Sequence, residues 1–133
     1  MKQSESQIHT QVADWLRFVE RELGEPLIWT SVVNEGRRGW KAQQTIKRHG
    51  LRKGWPDITI LHGGDLLCIE LKAAKGRLSP EQRVVGEIIQ AAGGYWAMAR
   101  SLEETQECLR NWGRNWPRLT WQELGLGNKS SRT

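Results

Sequence analysis

Cysteine is scarce in this chain, and long apolar runs are absent. Cys68 and Cys108 are too few and too far apart for a disulfide framework or a Cys-x-x-Cys metal site. No segment approaches the roughly 20 apolar residues that a membrane span needs. The polar start, residues 1–10, lacks the apolar stretch of a signal peptide. The chain contains no internal repeat and no low-complexity segment. These absences predict a small intracellular protein that is neither secreted nor embedded in a membrane.

Acidic residues are also absent, but only locally, between Gly36 and Pro56. The whole chain carries 20 Lys and Arg against 15 Asp and Glu, a net +5. The rest of the chain has 13 positive and 15 negative side chains, so it is mildly acidic. A solvated loop would account for such a segment, but the complete lack of acids favours contact with a polyanion such as DNA. The seven candidate DNA-binding residues of this basic segment are Arg37, Arg38, Lys41, Lys47, Arg48, Arg52 and Lys53.

What the chain does contain is typical of one folded domain. Its length is 133 residues, 38% of them are hydrophobic, and eight are tryptophan, which excludes a disordered chain. We expect a single domain over residues 1–124. The small, polar residues 125–133 predict a flexible C-terminal tail.

Apolar periodicity and turn residues predict the order α-β-β-β-α-β, followed by a C-terminal helical piece. A stripe of apolar residues from Ile8 to Leu23 predicts the first helix. Ser79, Pro80 and Gln82 mark the start of the second helix. The strands are predicted at residues 27–33, 57–61, 66–73 and 95–99. This order indicates an α/β domain with a small mixed sheet flanked by helices. The residues expected to form the buried face of the second helix are Val84, Val85, Ile88, Ile89 and Ala92.

Two acids and a lysine interrupt these otherwise apolar strands. Glu70 and Lys72 are two positions apart, so both project to one face of their strand. Asp57 opens the preceding strand, and the Gly63-Gly64 turn makes the two strands neighbours. Two adjacent carboxylates repel one another, and a divalent cation removes that conflict. Oxygen ligands favour Mg²⁺ or Mn²⁺ over zinc.

This arrangement is suited to metal-assisted hydrolysis of a phosphodiester. The backbone carbonyl of Leu71 is a natural third metal ligand, and Lys72 could orient or deprotonate water or stabilise charge on the phosphorane. The alternative is that Glu70 and Lys72 are solvent-facing residues of an edge strand and that Asp57 caps a turn. An Asp followed by Glu-x-Lys is common by chance, so the surrounding sequence decides between the two readings.

The surrounding sequence resembles a known nuclease family. Pro56-Asp57 followed by Glu70-Leu71-Lys72 is similar to the PD-(D/E)xK pattern, and the string from Glu70 to Gln82 resembles the core of VRR-NUC domains, the virus-type replication-repair nucleases. This resemblance covers roughly residues 5–105. It implies a restriction-endonuclease-like αβββαβ core with an extra C-terminal helix. It also implies Mg²⁺- or Mn²⁺-dependent cleavage of DNA, and no organic cofactor.

The resemblance also assigns roles to individual residues. Asp57 and Glu70 would be metal ligands, Lys72 the catalytic lysine, and Gln82 an accessory active-site residue. Gln82 has an equal alternative as the capping-box residue of its helix. Two further acids are possible outer-shell residues of the metal, Glu5 and Glu35; the alternatives are a solvated glutamate favoured by the helix dipole for Glu5 and a plain loop residue for Glu35. Two cations just past the site could contact phosphates or be solvated; they are Lys75 and Arg77.

The stand-alone form of such a nuclease suggests how it acts. No second DNA-binding module is visible, so we expect a symmetric homodimer that acts on branched, junction-like DNA in repair. The expected location is the cytoplasm of a bacterial or phage-infected cell. The main alternative is a non-catalytic nucleic-acid-binding protein that retains the fold. Within the nuclease interpretation, RNA as the substrate stays open.

Overall fold

The structure, a computed structural model, describes residues 2–32, 44 and 47–125. Three helices of ten residues or more and four strands form these parts of the chain, and residues 121–125 add a short helical turn. The elements are α1 (Glu5–Glu22), β1 (Leu27–Ser31), β2 (Ile58–His62), β3 (Asp65–Leu71), α2 (Pro80–Ala91), β4 (Tyr95–Ala99) and α3 (Leu102–Asn111).

The four strands form one mixed sheet in the order β1-β2-β3-β4. β1 and β3 both pair antiparallel with β2, and β4 pairs parallel with β3, so α2 is the crossover between the two parallel strands. Gly63 and Gly64 form the β2–β3 turn with φ of 58° and 82°, as the glycine pair predicts. The predicted small mixed sheet flanked by helices is confirmed.

The larger core lies on the face of the sheet that α1 and α3 cover. Trp15 is buried there, and its indole nitrogen donates to the carbonyl of Pro117 at 2.8 Å. Alternate residues of the central strands supply the sheet side of this core. Its members from the sheet include Ile58, Ile60, Leu67, Ile69 and Leu71.

A smaller core lies on the opposite face, under α2. Val85 and Ile89 of α2 pack there on Cys68, with the partly buried Trp55, Leu66 and Trp96 around them. Gly86 belongs to this contact because a Cβ at that position would lie 2.4 Å from the Trp96 ring. The helix therefore sits close to the sheet along a narrow line.

That narrow contact corrects the predicted buried face of α2. Val84 and Ile88 are 49% and 50% exposed, and Ala92 is exposed as well. The prediction of their burial was wrong because the Gly86–Trp96 contact turns only the Val85–Ile89 edge of the helix toward the sheet.

Side-chain hydrogen bonds cap the N-termini of α1 and α2 and of the final helical turn. Ser79 and Gln82 form the predicted capping box of α2. Ser4 and Gln7 form a second one at the start of α1, which the apolar stripe alone did not reveal. Thr120 and Glu123 exchange the corresponding bonds, both 3.1 Å long, before the last turn.

The predicted tail lies almost wholly outside the described residues, since only Gly125 is described. Within the described parts of the chain, no helix combines the length and apolar character that crossing a membrane requires.

Arg114 joins the C-terminal segment to the β2–β3 hairpin. Its side chain donates to the His62 carbonyl at 2.7 Å, to Asp65 Oδ2 at 2.9 Å and to His62 Nδ1 at 3.0 Å. The Arg114 side chain is only 9% exposed, so these bonds form largely away from water. The His62 ring also packs edge-on against Trp116, with centroids 5.2 Å apart.

Replacing Arg114 by alanine should therefore destabilise the protein. Arg114→Ala leaves the His62 carbonyl and Asp65 without their donor, so we expect a loss of roughly 1.5–3 kcal/mol in urea unfolding. Arg118→Ala is the matched control. Its ion pair with Glu107 is 3.1 Å long, but both side chains are about half exposed, and its loss should cost less than about 1 kcal/mol. Equal effects of the two substitutions would contradict this role of Arg114.

Candidate active site

Asp57 and Glu70 face each other across the antiparallel β2–β3 pair. The register Ile58↔Ile69 places Asp57, one residue before β2, opposite Glu70 near the end of β3. Asp57 Oδ2 accepts a 2.8 Å hydrogen bond from the backbone nitrogen of Leu71. This bond fixes the Asp57 carboxylate against β3. The N–H and C=O of one strand residue point to the same side, so the Leu71 carbonyl is also directed toward Asp57.

Glu70 is a buried acid whose hydrogen-bonding capacity is only partly used. Its side chain is 1% exposed. Oε1 accepts a 3.1 Å hydrogen bond from Gln82 Nε2. Oε2 is buried and has no hydrogen-bond partner among the described residues. A buried carboxylate oxygen without a donor is costly, so this position calls for a proton or a cation.

The environment of Glu70 disfavours its negative charge. Burial is the largest cause, and together with the nearby Asp57 carboxylate it raises the pKa of the Glu70 carboxyl to about 9. The Lys72 ammonium opposes the rise in pKa, and the negative charge of Glu5 adds a smaller contribution to it. Without a cation the Glu70 carboxyl therefore favours its protonated form at neutral pH. A divalent cation would replace that proton.

Gln82 combines the two roles that the sequence left open. Its Oε1 accepts from the backbone nitrogen of Ser79 at 2.9 Å, which closes the capping box of α2. Its amide nitrogen donates to Glu70 Oε1. One side chain therefore ties the first turn of α2 to the buried acid of β3.

Lys72 projects to the same face of the sheet as Glu70, because it follows two positions later. The residue is only 9% exposed. Its stem lies close to Gly76, where an added Cβ would be 3.4 Å from Lys72 Cβ and Cδ. Within the described residues, Lys72 forms no salt bridge with Asp57 or Glu70. Its ammonium is therefore not paired with either carboxylate in a salt bridge.

Gly54 lets the segment before Asp57 approach the start of α2. It has φ of 89°, and a Cβ there would lie 2.6 Å from the backbone carbon of Glu81. Trp55 packs beside it in the smaller core, and its Nε1 donates to Thr59 Oγ1 at 2.8 Å. This positioning role belongs to the string Gly54-Trp55-Pro56-Asp57. Nothing in the sequence shows that the string packs next to α2.

The other predicted residues surround this cluster less closely. Glu5 is the first residue of α1, is exposed, and acts on Glu70 through its charge. The predicted Glu35, Arg37, Arg38 and Lys41 lie outside the described residues. The remaining predicted cations are all exposed; they are Lys47, Arg48, Arg52, Lys53, Lys75 and Arg77. Of these, Lys53 lies 3.6 Å from Glu81.

The donor set fits a hard divalent cation better than zinc. Among residues 2–32, 44 and 47–125 no group of three His, Cys, Asp or Glu side chains is placed to hold a metal. The site instead offers two carboxylates and a backbone carbonyl directed to the same side. Mg²⁺ is commonly held by one or two carboxylates and retains several waters. The unpartnered Glu70 Oε2 is the observation that most directly favours a cation here.

The pKa of Glu70 predicts a stability effect of Glu70→Gln in metal-free protein. The unfolded carboxyl ionises near pH 4.5, whereas the folded one resists ionisation up to about pH 9. Ionisation therefore opposes folding increasingly as pH rises through this window, and not below it. Glutamine removes that penalty, so Glu70→Gln should gain on the order of 1–3 kcal/mol at pH 8 and little at pH 4. Chemical unfolding with EDTA measures this.

Added metal should reverse the order of stability of the wild type and Glu70→Gln. Mg²⁺ or Mn²⁺ should raise the melting temperature of the wild type, because a ligand that binds only the folded state stabilises it. The same ions should leave Glu70→Gln nearly unchanged. Glu20→Gln, at an exposed position of α1, is the control and should behave as the wild type in both tests. A metal response of Glu70→Gln equal to that of the wild type would argue against a metal at Glu70.

Comparison with known proteins bears on the fold of the chain. No protein-family model matches the chain, and no curated protein matches it. A solved structure described as a "VRR_NUC domain protein" is similar to it with a TM-score of 0.64 and 21% sequence identity. The similarity covers 83% of this chain and 88% of that one. The chain therefore has the fold that the resemblance implied.

Proposed function

We propose that this protein is a metal-dependent nuclease that hydrolyses phosphodiester bonds of DNA. The observation that carries the proposal is the buried, unpartnered Oε2 of Glu70 beside Asp57. Lys72 on the same face adds a cation that, among the described residues, forms no salt bridge with either carboxylate. The fold shared with a VRR_NUC domain protein supports the same conclusion.

Each residue of the cluster has a role in this proposal. Asp57, Glu70 and the Leu71 carbonyl would hold Mg²⁺ or Mn²⁺, which when bound polarises a phosphoryl oxygen and acidifies water. Gln82 keeps the Glu70 carboxylate in place through its 3.1 Å bond. The Lys72 ammonium would orient the attacking water and stabilise negative charge on the phosphoryl group.

Exposed cations on both sides of the cluster support DNA as the partner. Arg52 and Lys53 precede Asp57 in the chain, and Lys75 and Arg77 follow Lys72. Lys53 lies near Glu81 at the start of α2, beside Gln82. The chain therefore carries exposed positive charge shortly before and shortly after the carboxylates, which would favour a DNA backbone bound at the site.

Conservative changes in the cluster should abolish cleavage without unfolding the protein. Asp57→Asn and Glu70→Gln should each remove a metal ligand, and Lys72→Ala should remove the ammonium. We expect a fall in cleavage rate of at least about 100-fold for each. The measurement is nicking of supercoiled plasmid with Mg²⁺, Mn²⁺ or EDTA, with circular dichroism confirming the fold. Glu20→Gln serves again as the active control.

The results of the cleavage assay distinguish a nuclease from a non-catalytic nucleic-acid-binding protein. Metal-independent binding of DNA without cleavage by the wild type would favour the non-catalytic binding protein. Full activity of Lys72→Ala would refute the role given to the lysine. A panel of linear, flapped, forked and four-way DNA, with a matched RNA duplex, then tests whether branched DNA is the preferred substrate.

A homodimer is the second part of the proposal, and the surface supports it. Of the five most exposed large apolar residues in the described parts of the chain, four lie on the α2 face of the sheet. Ile28 and Leu61 are register partners on β1 and β2, 67% and 50% exposed, and Val84 and Ile88 lie on α2. A second copy of the chain would cover these four residues. Two active sites related by symmetry would then each address one DNA strand.

Charges placed on this face should dissociate the dimer. Leu61→Lys and Ile88→Lys should each weaken self-association at least about tenfold, because each removes apolar burial and adds an unpaired charge. Sedimentation velocity over a concentration series measures this. Glu20→Lys, exposed on α1, is the control that adds a lysine elsewhere. A monomeric wild type at micromolar concentration, or unchanged association of both variants, would contradict the dimer.

A further inference from the structure

We propose that Arg100 is a positioning residue of the site, which holds the loop Ala73–Gly76 and through it Lys72. The inference rests on the proposed nuclease function and adds to it. Arg100 is the residue directly after β4, and β4 is the neighbour of β3, the strand that carries Glu70.

The hydrogen bonds of Arg100 converge on the loop that follows the Glu70–Lys72 segment. Its Nη1 nitrogen donates to the carbonyl of Ala73 at 2.6 Å and to that of Gly76 at 2.8 Å, and the Ala74 carbonyl, 3.2 Å away, shares one of these two hydrogens. Bonds from a guanidinium are charge-assisted and stronger than bonds between neutral groups. A loop with no regular secondary structure thus has three of its carbonyls oriented by one side chain.

The sheet explains why Arg100 reaches this loop. β3 and β4 are parallel, with Leu71 in register with Ala99, and the Lys72 nitrogen donates to the Ala99 carbonyl at 3.0 Å. Arg100 therefore comes directly beside Lys72 at the end of the two strands. The loop begins at that point and must cross toward Ser79, the N-cap of α2.

The loop in turn packs on Lys72. The Gly76 nitrogen donates to the Ala73 carbonyl at 3.0 Å, which closes the turn. Gly76 lies against the Lys72 stem, where an added Cβ would be 3.4 Å from two of its carbons. Within the described part of the chain Lys72 has no salt bridge to Asp57 or Glu70, and the residue is only 9% exposed, so the packing around its stem is what restricts it. Releasing the loop should release the ammonium.

Arg100→Met tests the inference, because methionine keeps an unbranched stem but has no donor. We expect kcat to fall about 10- to 100-fold, the usual effect of removing a residue that orients an active-site group, with KM changed less than about threefold. Arg100→Lys retains a charged donor and should recover part of the lost kcat. Arg110→Met is the control, since Arg110 is exposed on α3 away from the loop and should leave both parameters unchanged.

A measurement without DNA separates this inference from the proposed function. Amide hydrogen exchange at Gly76 should be at least about tenfold faster in Arg100→Met than in the wild type, which corresponds to the loss of one charged hydrogen bond. The metal-induced rise in melting temperature should persist, because Asp57 and Glu70 are held by the strands. If the wild type cleaves no DNA, the proposed function fails and the exchange result still decides whether Arg100 holds the loop.

Three results would overturn the positioning role. Unchanged exchange at Gly76 in Arg100→Met would show that the loop does not depend on Arg100. Faster exchange with unchanged kcat would show that the loop does not position Lys72. A rise in KM alone would instead make Arg100 a direct contact to DNA. Arg100→Lys provides the same readouts if Arg100→Met fails to fold.

Discussion

The burial of Glu70 against Asp57 determines how the rest of the site is built. A carboxylate that is 1% exposed, next to a second carboxylate, opposes folding whenever both are ionised. Among the described residues, two neighbouring donors offset part of that cost, the Leu71 nitrogen to Asp57 and the Gln82 amide to Glu70, and one Glu70 carboxylate oxygen is left without a partner. An oxygen whose hydrogen-bonding capacity is unused is what we expect if the protein normally binds a cation there.

The two halves of the site are brought together by a close approach that only glycine permits. Gly54 brings the segment before Asp57 against the backbone of Glu81, where a Cβ would lie 2.6 Å from the Glu81 backbone carbon. A further glycine, Gly86, seats α2 on Trp96 and so sets the height of Gln82 above the sheet. The polar residues perform the chemistry in our proposal, but these contacts set the distances between them.

Much of the fold could be predicted because its signals are local. The apolar stripe of α1, the capping box of α2 and the glycine pair of the hairpin each act within a few residues. The pairing of Asp57 with Glu70 followed from two strands joined by a two-residue turn. The exposure of Val84 and Ile88 could not be read in this way, because their periodicity is the same whether the helix faces the sheet or solvent. The Gly86–Trp96 contact decides the orientation, and no local pattern reveals it.

Long-range polar contacts explain the remaining difference between the sequence and the structure. Arg100 bonds to Ala73, 27 positions earlier in the chain, and Arg114 bonds to His62 and Asp65, about 50 positions earlier. Each arginine stands in the sequence as one cation among many. Charge counting assigns such residues to the solvated surface or to a polyanion. In the folded protein both instead bind backbone carbonyls of a turn next to β3. An arginine with carbonyl partners orders the chain, whereas the exposed cations near Asp57 and Lys72 are the ones that our proposal assigns to a phosphate. Which cations of this protein are structural therefore depends on where the backbone turns, not on charge density along the sequence.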